Sequence, residues 1–466
     1  MFVFPNRVIR FAFSSYFARG RYTENFWQEF FRRYLELLPI KSYLFLLFSY
    51  FLWSKEPART VSLRVTNKDM KKLKRIDPWL HNLILCDREM LGGSVILQSK
   101  PWNLALPIAD LCNARCTFCV SWLRGGKTLE LEELKNYEGL LPYAKEIGLQ
   151  GLGEPLANPK FGELVEHLVL KTDKRATFYL ITNGIFVSRH LAILAKAPIT
   201  RFNISLNAAT KETHNKVMGL GEDGFNKVLD GINKLIEIRD STEGTLVILS
   251  MVLTADNFHE VEDFIQLAEN LKVNQVILRS LMPINEYLPG LNYHLLPPIL
   301  LPNFRELSDR AKLAIANANL SIIANIESWD IDPRPKNIET ELLPIISRES
   351  ALKNKIRPDE SNLVNRKFFG KKLSDTIQND QINPYGRKPP LLCDFPYQQY
   401  VSTQLNGRLV PCCYMTDVPD HEPIQITEKL EDSWNSQALQ NLRISLKSGP
   451  LLIECQKCPL ARNAIN

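Results

Sequence analysis

Between residues 102 and 280 the apolar positions follow two alternating patterns. Short apolar runs fit strands at residues 104–109, 149–153, 176–181, 201–206, 246–253 and 275–278. Apolar residues three and four apart fit helices at residues 130–147, 161–170, 188–195, 224–239 and 259–271. Strands alternating with helices predict an α/β fold, a parallel sheet with its helices outside. In such sheets the functional groups gather at the carboxyl ends of the strands. A helix over 304–318 and a strand over 321–324 finish this core.

The flanks follow other patterns. Residues 1–58 form an aromatic-rich extension with 11 of the 23 phenylalanines. Thr23 caps an expected helix over 24–38, with Phe26, Trp27, Phe30, Phe31, Tyr34, Leu35 and Leu38 on one side. The run 43–53 is apolar on nearly every side. Two readings stand: a helical hairpin packed on the core, or an in-plane membrane contact with basic flanks. The apolar stretch 42–54, between Lys41 and Lys55, is shorter than the ~20 residues a span needs. Residues 59–100 form a lead-in, with short strands expected at 61–65 and 95–98. The core is expected over 101–328, a charged, proline-bearing connector over 329–390 and a small unit over 391–466, with a hairpin over 400–410 turning at Asn406-Gly407.

Composition narrows the class. The chain has 466 residues, 45% hydrophobic and 23% charged, so it is largely globular. A net charge of +6 is mild and spread out, and no nucleic-acid partner is expected. Lys68, Lys71, Lys72, Lys74 and Arg75 form the densest basic cluster, expected on a solvated helix face. Seven of the nine cysteines sit in motifs, which favours metal ligation in a reducing, cytoplasmic setting over a disulfide framework. Cys86 stands apart and is expected to be a buried small hydrophobe. No secretory signal peptide is evident.

The chemistry centres on Leu111-Cys-Asn-Ala-Arg-Cys-Thr-Phe-Cys-Val120. Cys112, Cys116 and Cys119 have the spacing C-x3-C-x2-C. Structural zinc sites take four ligands, and here the local count stops at three. A [4Fe–4S] cluster held by three thiolates keeps one iron for an outside ligand. With Phe118 before the third cysteine, this stretch resembles the radical S-adenosylmethionine (SAM) superfamily. The resemblance implies a partial (β/α)6 TIM-like barrel. It also implies a [4Fe–4S] cluster that binds SAM and cleaves it reductively to a 5′-deoxyadenosyl radical. A zinc knuckle or a passive electron carrier is the competing reading.

Further motifs follow at the expected strand ends. Gly153, Glu154 and Pro155 resemble the last three residues of the family's Gly-Gly-Glu-Pro motif, which binds the SAM amino group, with Leu152 in place of its first glycine. Thr182, Asn183 and Gly184 resemble the family's Thr-Asn-Gly turn. Ser205 and Asn207 resemble the polar pair that binds SAM ribose or carboxylate. Arg279 ends the sixth strand, where family members contact adenine or carboxylate.

Near the C-terminus, Cys393, Gly407 and Cys412 are spaced C-x13-G-x4-C, followed by Trp434-Asn435 and by Cys455-Gln-Lys-Cys458. This resembles the SPASM/twitch extension of radical SAM enzymes. It implies one auxiliary [4Fe–4S] cluster on Cys393, Cys412, Cys455 and Cys458; a zinc ribbon competes. Successive strand residues point opposite ways, so only one of Cys412 and Cys413 is expected to bind, and the family spacing selects Cys412. The resemblance further implies a flavodoxin- or ferredoxin-type electron donor and a small-molecule, glycan- or lipid-linked, or peptide substrate. Two outcomes stay open: a two-electron oxidation assisted by the auxiliary cluster, or an epimerisation with Cys413 or Cys86 as hydrogen donor.

Overall fold

The computed structural model describes residues 66–119, 126–242, 244–280, 298–324 and 329, and in the C-terminal region 390–393, 395–401, 405, 407–412, 422, 424–426, 430–452, 455 and 462–463. The expected helix over 24–38, the apolar run 43–53, the strand over 61–65, residues 330–389 of the connector, Cys413 and Cys458 lie outside these residues.

The chain enters through α1 (Asn67–Ile76) and α2 (Pro78–Leu91). Thr66 caps α1 by accepting from the Asp69 amide, and Asp77 caps α2 by accepting from the Leu80 amide. On α1 only Met70 and Leu73 are buried; Lys68, Lys71, Lys72, Lys74 and Arg75 are exposed, the solvated face that was expected. Arg175 lies over the Trp79 ring at 4.1 Å and bonds both Asp77 and Asp173.

The core strands are β1 (Asn103–Pro107), β2 (Glu146–Gln150), β3 (Thr177–Thr182), β4 (Ile199–Ser205), β5 (Leu246–Leu253), β6 (Gln275–Ser280) and β7 (Ser321–Ala324). Between them run α3 (Leu131–Leu134), α4 (Phe161–Lys171), α5 (Leu191–Lys196), α6 (Lys211–Met218), α7 (Gly224–Ser241), α8 (Val261–Asn270) and α9 (Phe304–Asn317). The C-terminal region adds β8 (Leu391–Leu392), α10 (Phe395–Gln398), β9 (Gln399–Val401), α11 (Leu430–Trp434), α12 (Gln437–Ser448) and β10 (Arg462–Asn463). The main sheet has eight strands in the order β7-β6-β5-β4-β3-β2-β1-β9, and every neighbouring pair is parallel. The expected α/β sheet is present. It is wider than six strands because β7 extends one edge and β9 the other.

Several local expectations are corrected. Residues 130–147 are not one helix. Gly139 and Pro142 interrupt the pattern, which breaks into α3, two short 3-10 turns and the start of β2. The second strand therefore ends at Gln150, and Gly151–Pro155 belong to the loop beyond it. Residues 95–98 are not a strand. Glu89 accepts from the Gln98 amide at 2.7 Å and the Ser99 amide at 3.1 Å, and Asn435 brackets the Leu97 backbone. Of the expected 400–410 hairpin, residues 402–404 and Asn406 lie outside the described residues; among the described ones, Gln399–Val401 pair in parallel with β1, and Arg408 bridges Gln425.

The C-terminal region is built onto the core. Arg443, fully buried on α12, donates to the carbonyls of Pro396 (2.8 Å), Val95 (2.9 Å) and Trp434 (2.7 Å). Gln398 donates to Asp87 on α2, and its carbonyl accepts from the Trp102 amide. The two-stranded β8–β10 ladder joins the residues just before Cys393 to those just after Cys458.

Candidate active site

The carboxyl ends of β1 to β4 converge on one loop. After β1 the chain runs into Asp110 and Cys112. Lys127 returns beside it, its carbonyl accepting from the Asp110 amide at 2.9 Å. From the other side, the loop after β2 presses in: the Gly153 amide donates to Ala109 O (3.0 Å) and the Glu154 amide to Leu111 O (2.9 Å). A Cβ on Gly153 would sit 2.4 Å from Leu111 O, so only glycine allows this approach.

Cys112, Cys116 and Cys119 are partly exposed on this loop, and none is in a disulfide. The Cys119 amide donates to Cys116 O at 3.2 Å, folding the second half into a tight turn. Burial pushes the Cys112 thiol up to about 12, with Glu154 and Cys119 adding to the shift. Among the described residues, no three His, Cys, Asp or Glu side chains are already gathered around one point. The loop therefore suits a soft metal cluster by donor type, spacing and exposure, not by a preformed cage.

Glu154 is buried, and its carboxylate is engaged with protein groups. Oε1 accepts from Thr182 Oγ1 (2.6 Å) and the Leu156 amide (3.0 Å), while Oε2 accepts from the Asn183 amide (2.7 Å). Burial lifts its titration to about 7 against the opposing pull of these donors. Thr182 and Asn183 thus belong to the same polar cluster as Glu154. Asn183 also reaches the cysteine loop, donating to Asn113 Oδ1 at 2.9 Å. Gly184 has φ 83°, and the Thr182 hydroxyl accepts from its amide.

Ser205 ends β4 half-buried. Asn207 is 1% exposed, with φ 61° and both ends of its amide engaged. Oδ1 accepts from the Val252 amide (2.8 Å), and Nδ2 points at Met218 Sδ (3.0 Å). Pro155 is buried, Phe118 half-buried, and Arg279 is exposed on β6. Cys393 and Cys412 are half-buried and Cys455 buried, all packed against the apolar core.

Sequence reasoning missed the role of α6. Val217 O accepts from the Thr117 amide (2.9 Å) and Met218 O from the Arg115 amide (2.8 Å). His214, one turn earlier, is fully buried against Phe225, and burial holds its imidazole neutral by lowering its titration to about 4. Cys86 is fully buried on α2 as expected, its thiol directed at Lys100 O.

A radical SAM superfamily model matches residues 106–268, and an iron–sulfur cluster-binding (SPASM) domain model matches residues 393–459. A probable GTP 3′,8-cyclase of Saccharolobus islandicus is 32% identical over 195 residues, covering 39% of this chain and 58% of that protein. The GTP 3′,8-cyclase of Clostridium acetobutylicum is 26% identical over 191 residues, covering 39% of this chain and 57% of that protein. The chain thus spans less than two thirds of the length of these curated relatives. The crystal structure of Streptococcus suis SuiB bound to S-adenosylmethionine shares the fold, with TM-score 0.51 at 16% identity over 90% of this chain and 86% of that one. The first domain implies a [4Fe–4S] cluster and SAM, the second auxiliary iron–sulfur binding. The chain carries a radical SAM domain and, toward its C-terminus, a SPASM iron–sulfur cluster-binding domain.

Proposed function

We propose that Cys112, Cys116 and Cys119 hold the SAM-binding cluster and that the loops after β2, β3 and β4 form the SAM pocket. The observation that carries this reading is the convergence of those loops on the three-thiol loop, through Glu154, Thr182, Asn183 and Asn113. When bound, the cluster supplies reductive cleavage of SAM to a radical that abstracts hydrogen from substrate. Its electron comes from a flavodoxin- or ferredoxin-type donor. The chain's residues position it: Gly153 brings the second loop against the first, and Glu154 fixes the Thr182–Gly184 turn.

The C-terminal thiols Cys393, Cys412, Cys455 and Cys458 form a complete four-thiolate set for one auxiliary cluster, with no iron open to substrate. That favours an electron-accepting role and a net two-electron oxidation. Epimerisation is the competing outcome, and the full burial of Cys86 weighs against its use as a hydrogen donor. The substrate proposed is a small or lipid-linked molecule. The described lead-in is a helix pair, α1 and α2, which does not read as a peptide-recognition domain. The relatives, GTP 3′,8-cyclases by name, bring nucleotide substrates into the same trial, and peptides are its third class.

The test is anaerobic reconstitution with dithionite and SAM. Wild-type protein should release 5′-deoxyadenosine, and Cys112→Ala, Cys116→Ala or Cys119→Ala should release none while keeping roughly half the iron, because the second four-iron site remains. Wild-type yield from any of the three removes the assignment. Candidate substrates are then ranked by how far each raises that yield.

For the aromatic extension the reading preferred is a hairpin packed on the core, with in-plane contact to a membrane surface as the alternative put to test. Among the described residues, no helix is long and apolar enough to cross a membrane. On that alternative, flotation with anionic liposomes should recover the full chain and not a chain lacking residues 1–58. Equal behaviour of the two would leave the packed hairpin standing.

A further inference from the structure

The middle cysteine of the loop is held differently from the other two. The amides on either side of it, Arg115 and Thr117, donate to the last two carbonyls of α6, Met218 and Val217. Between these two bonds the Cys116 thiol lies 3.5 Å from Met218 Sδ. Met218 is 1% exposed, and the same sulfur receives Asn207 Nδ2 at 3.0 Å. α6 in turn is fixed at both ends. Glu260 accepts from the Ala209 amide (2.7 Å) and the Thr210 hydroxyl (2.5 Å) at its start, and Gly219 closes it in the left-handed conformation, φ 61°. Asn207 is itself pinned, since its carbonyl accepts from Asn257 Nδ2 at 2.9 Å.

From this arrangement we infer that Met218 is a positioning residue for the catalytic cluster. Its thioether seats the Cys116 sulfur and links it to the turn after β4. A thioether is a weak acceptor, so neither contact alone is strong. The backbone bonds on both sides of Cys116 remove the freedom that would otherwise blur so weak a preference. A soft, polarisable sulfur also tolerates a neighbouring thiolate better than an amide oxygen would. Cys116 is thereby pre-set by the fold. Once Cys116 is a thiolate its proton is gone, and Met218 keeps the packing contact and the Asn207 bond. The inference rests on the assignment of Cys112, Cys116 and Cys119 to the SAM-binding cluster.

The experiment compares Met218→Leu, Met218→Ala and Cys116→Ala in the reconstituted full chain. The readouts are iron content, the electron paramagnetic resonance spectrum of the reduced cluster with and without SAM, and SAM affinity. Met218→Leu keeps the volume and removes the acceptor. It should bind near-normal iron yet show altered g-values and a reduced SAM-induced change. Met218→Ala should weaken SAM binding by about tenfold, as for other groups that orient a metal ligand. Where Met218→Ala does not fold, Met218→Leu decides alone. Cys116→Ala separates the two layers. If it keeps the SAM-responsive signal, the cluster assignment fails. If it loses that signal while Met218→Leu matches wild type in spectrum and affinity, the role of Met218 is overturned.

Discussion

Glu154 shows how much one buried side chain can organise. Its three donors come from two loops, so removing one oxygen's acceptor character leaves a donor facing a donor. Glu154→Gln keeps the shape but turns an amide NH2 toward a backbone N–H. The expected cost is about 1–3 kcal/mol, together with weakened SAM binding, read by thermal melting and ligand titration. The pH behaviour has a definite sign. Glu154 titrates near 7 in the folded protein and near 4.5 when unfolded, so the folded state holds a proton the unfolded chain releases. Its contribution to stability is full below about 4.5 and lost as the pH rises through about 7. A melting profile whose slope across that window is the same in wild type and Glu154→Gln would refute this. The motif containing Glu154 was legible in the sequence, because Gly-Glu-Pro at a strand end is specific. Its inward-facing carboxylate was not, because orientation depends on Thr182 and Asn183, which arrive from another strand. Met218 carried no signal at all: a methionine ending an amphipathic helix looks like core.

At the scale of elements, the pattern of apolar runs placed most of the strands, and β5 and β7 match at both ends. The failures have a common cause. Residues 130–147 have helical periodicity, yet the geometry is set by Gly139, Pro142 and the demand of β1 for a neighbour beginning at Glu146. Residues 95–98 are a short apolar run after Gly92-Gly93, as a strand would be, but Glu89, Asn435 and Arg443 take up much of their backbone's hydrogen bonding. Side chains almost 350 positions away in sequence cannot be read from a local window. Arg443 is the test of that docking. Three carbonyls depend on its guanidinium, and burial lowers its titration to about 10. Arg443→Met should destabilise the C-terminal region by on the order of 3 kcal/mol. Limited proteolysis should then cleave within residues 391–466, with auxiliary iron lost before the SAM-responsive signal. Unchanged proteolysis and iron would show that α12 docks without it.

For the whole molecule, the division into a core and a small cysteine-bearing unit was visible in the spacing of the motifs. That the second unit completes the sheet of the first was not, since three residues of strand make no pattern. β1 carries the three-cysteine loop at one end and has β2 and β9 on its two sides. Its partner Gln399 follows Asn103 by about 300 residues, so at about 5–20 residues per second a ribosome takes roughly 15–60 s to supply it. Throughout that interval the newborn β1 presents one bare edge, the kind of surface that recruits stray strands and chaperones. Damage to Gln399–Val401 would therefore first show as poor yield from the cell, before any change in the chemistry of the protein that survives.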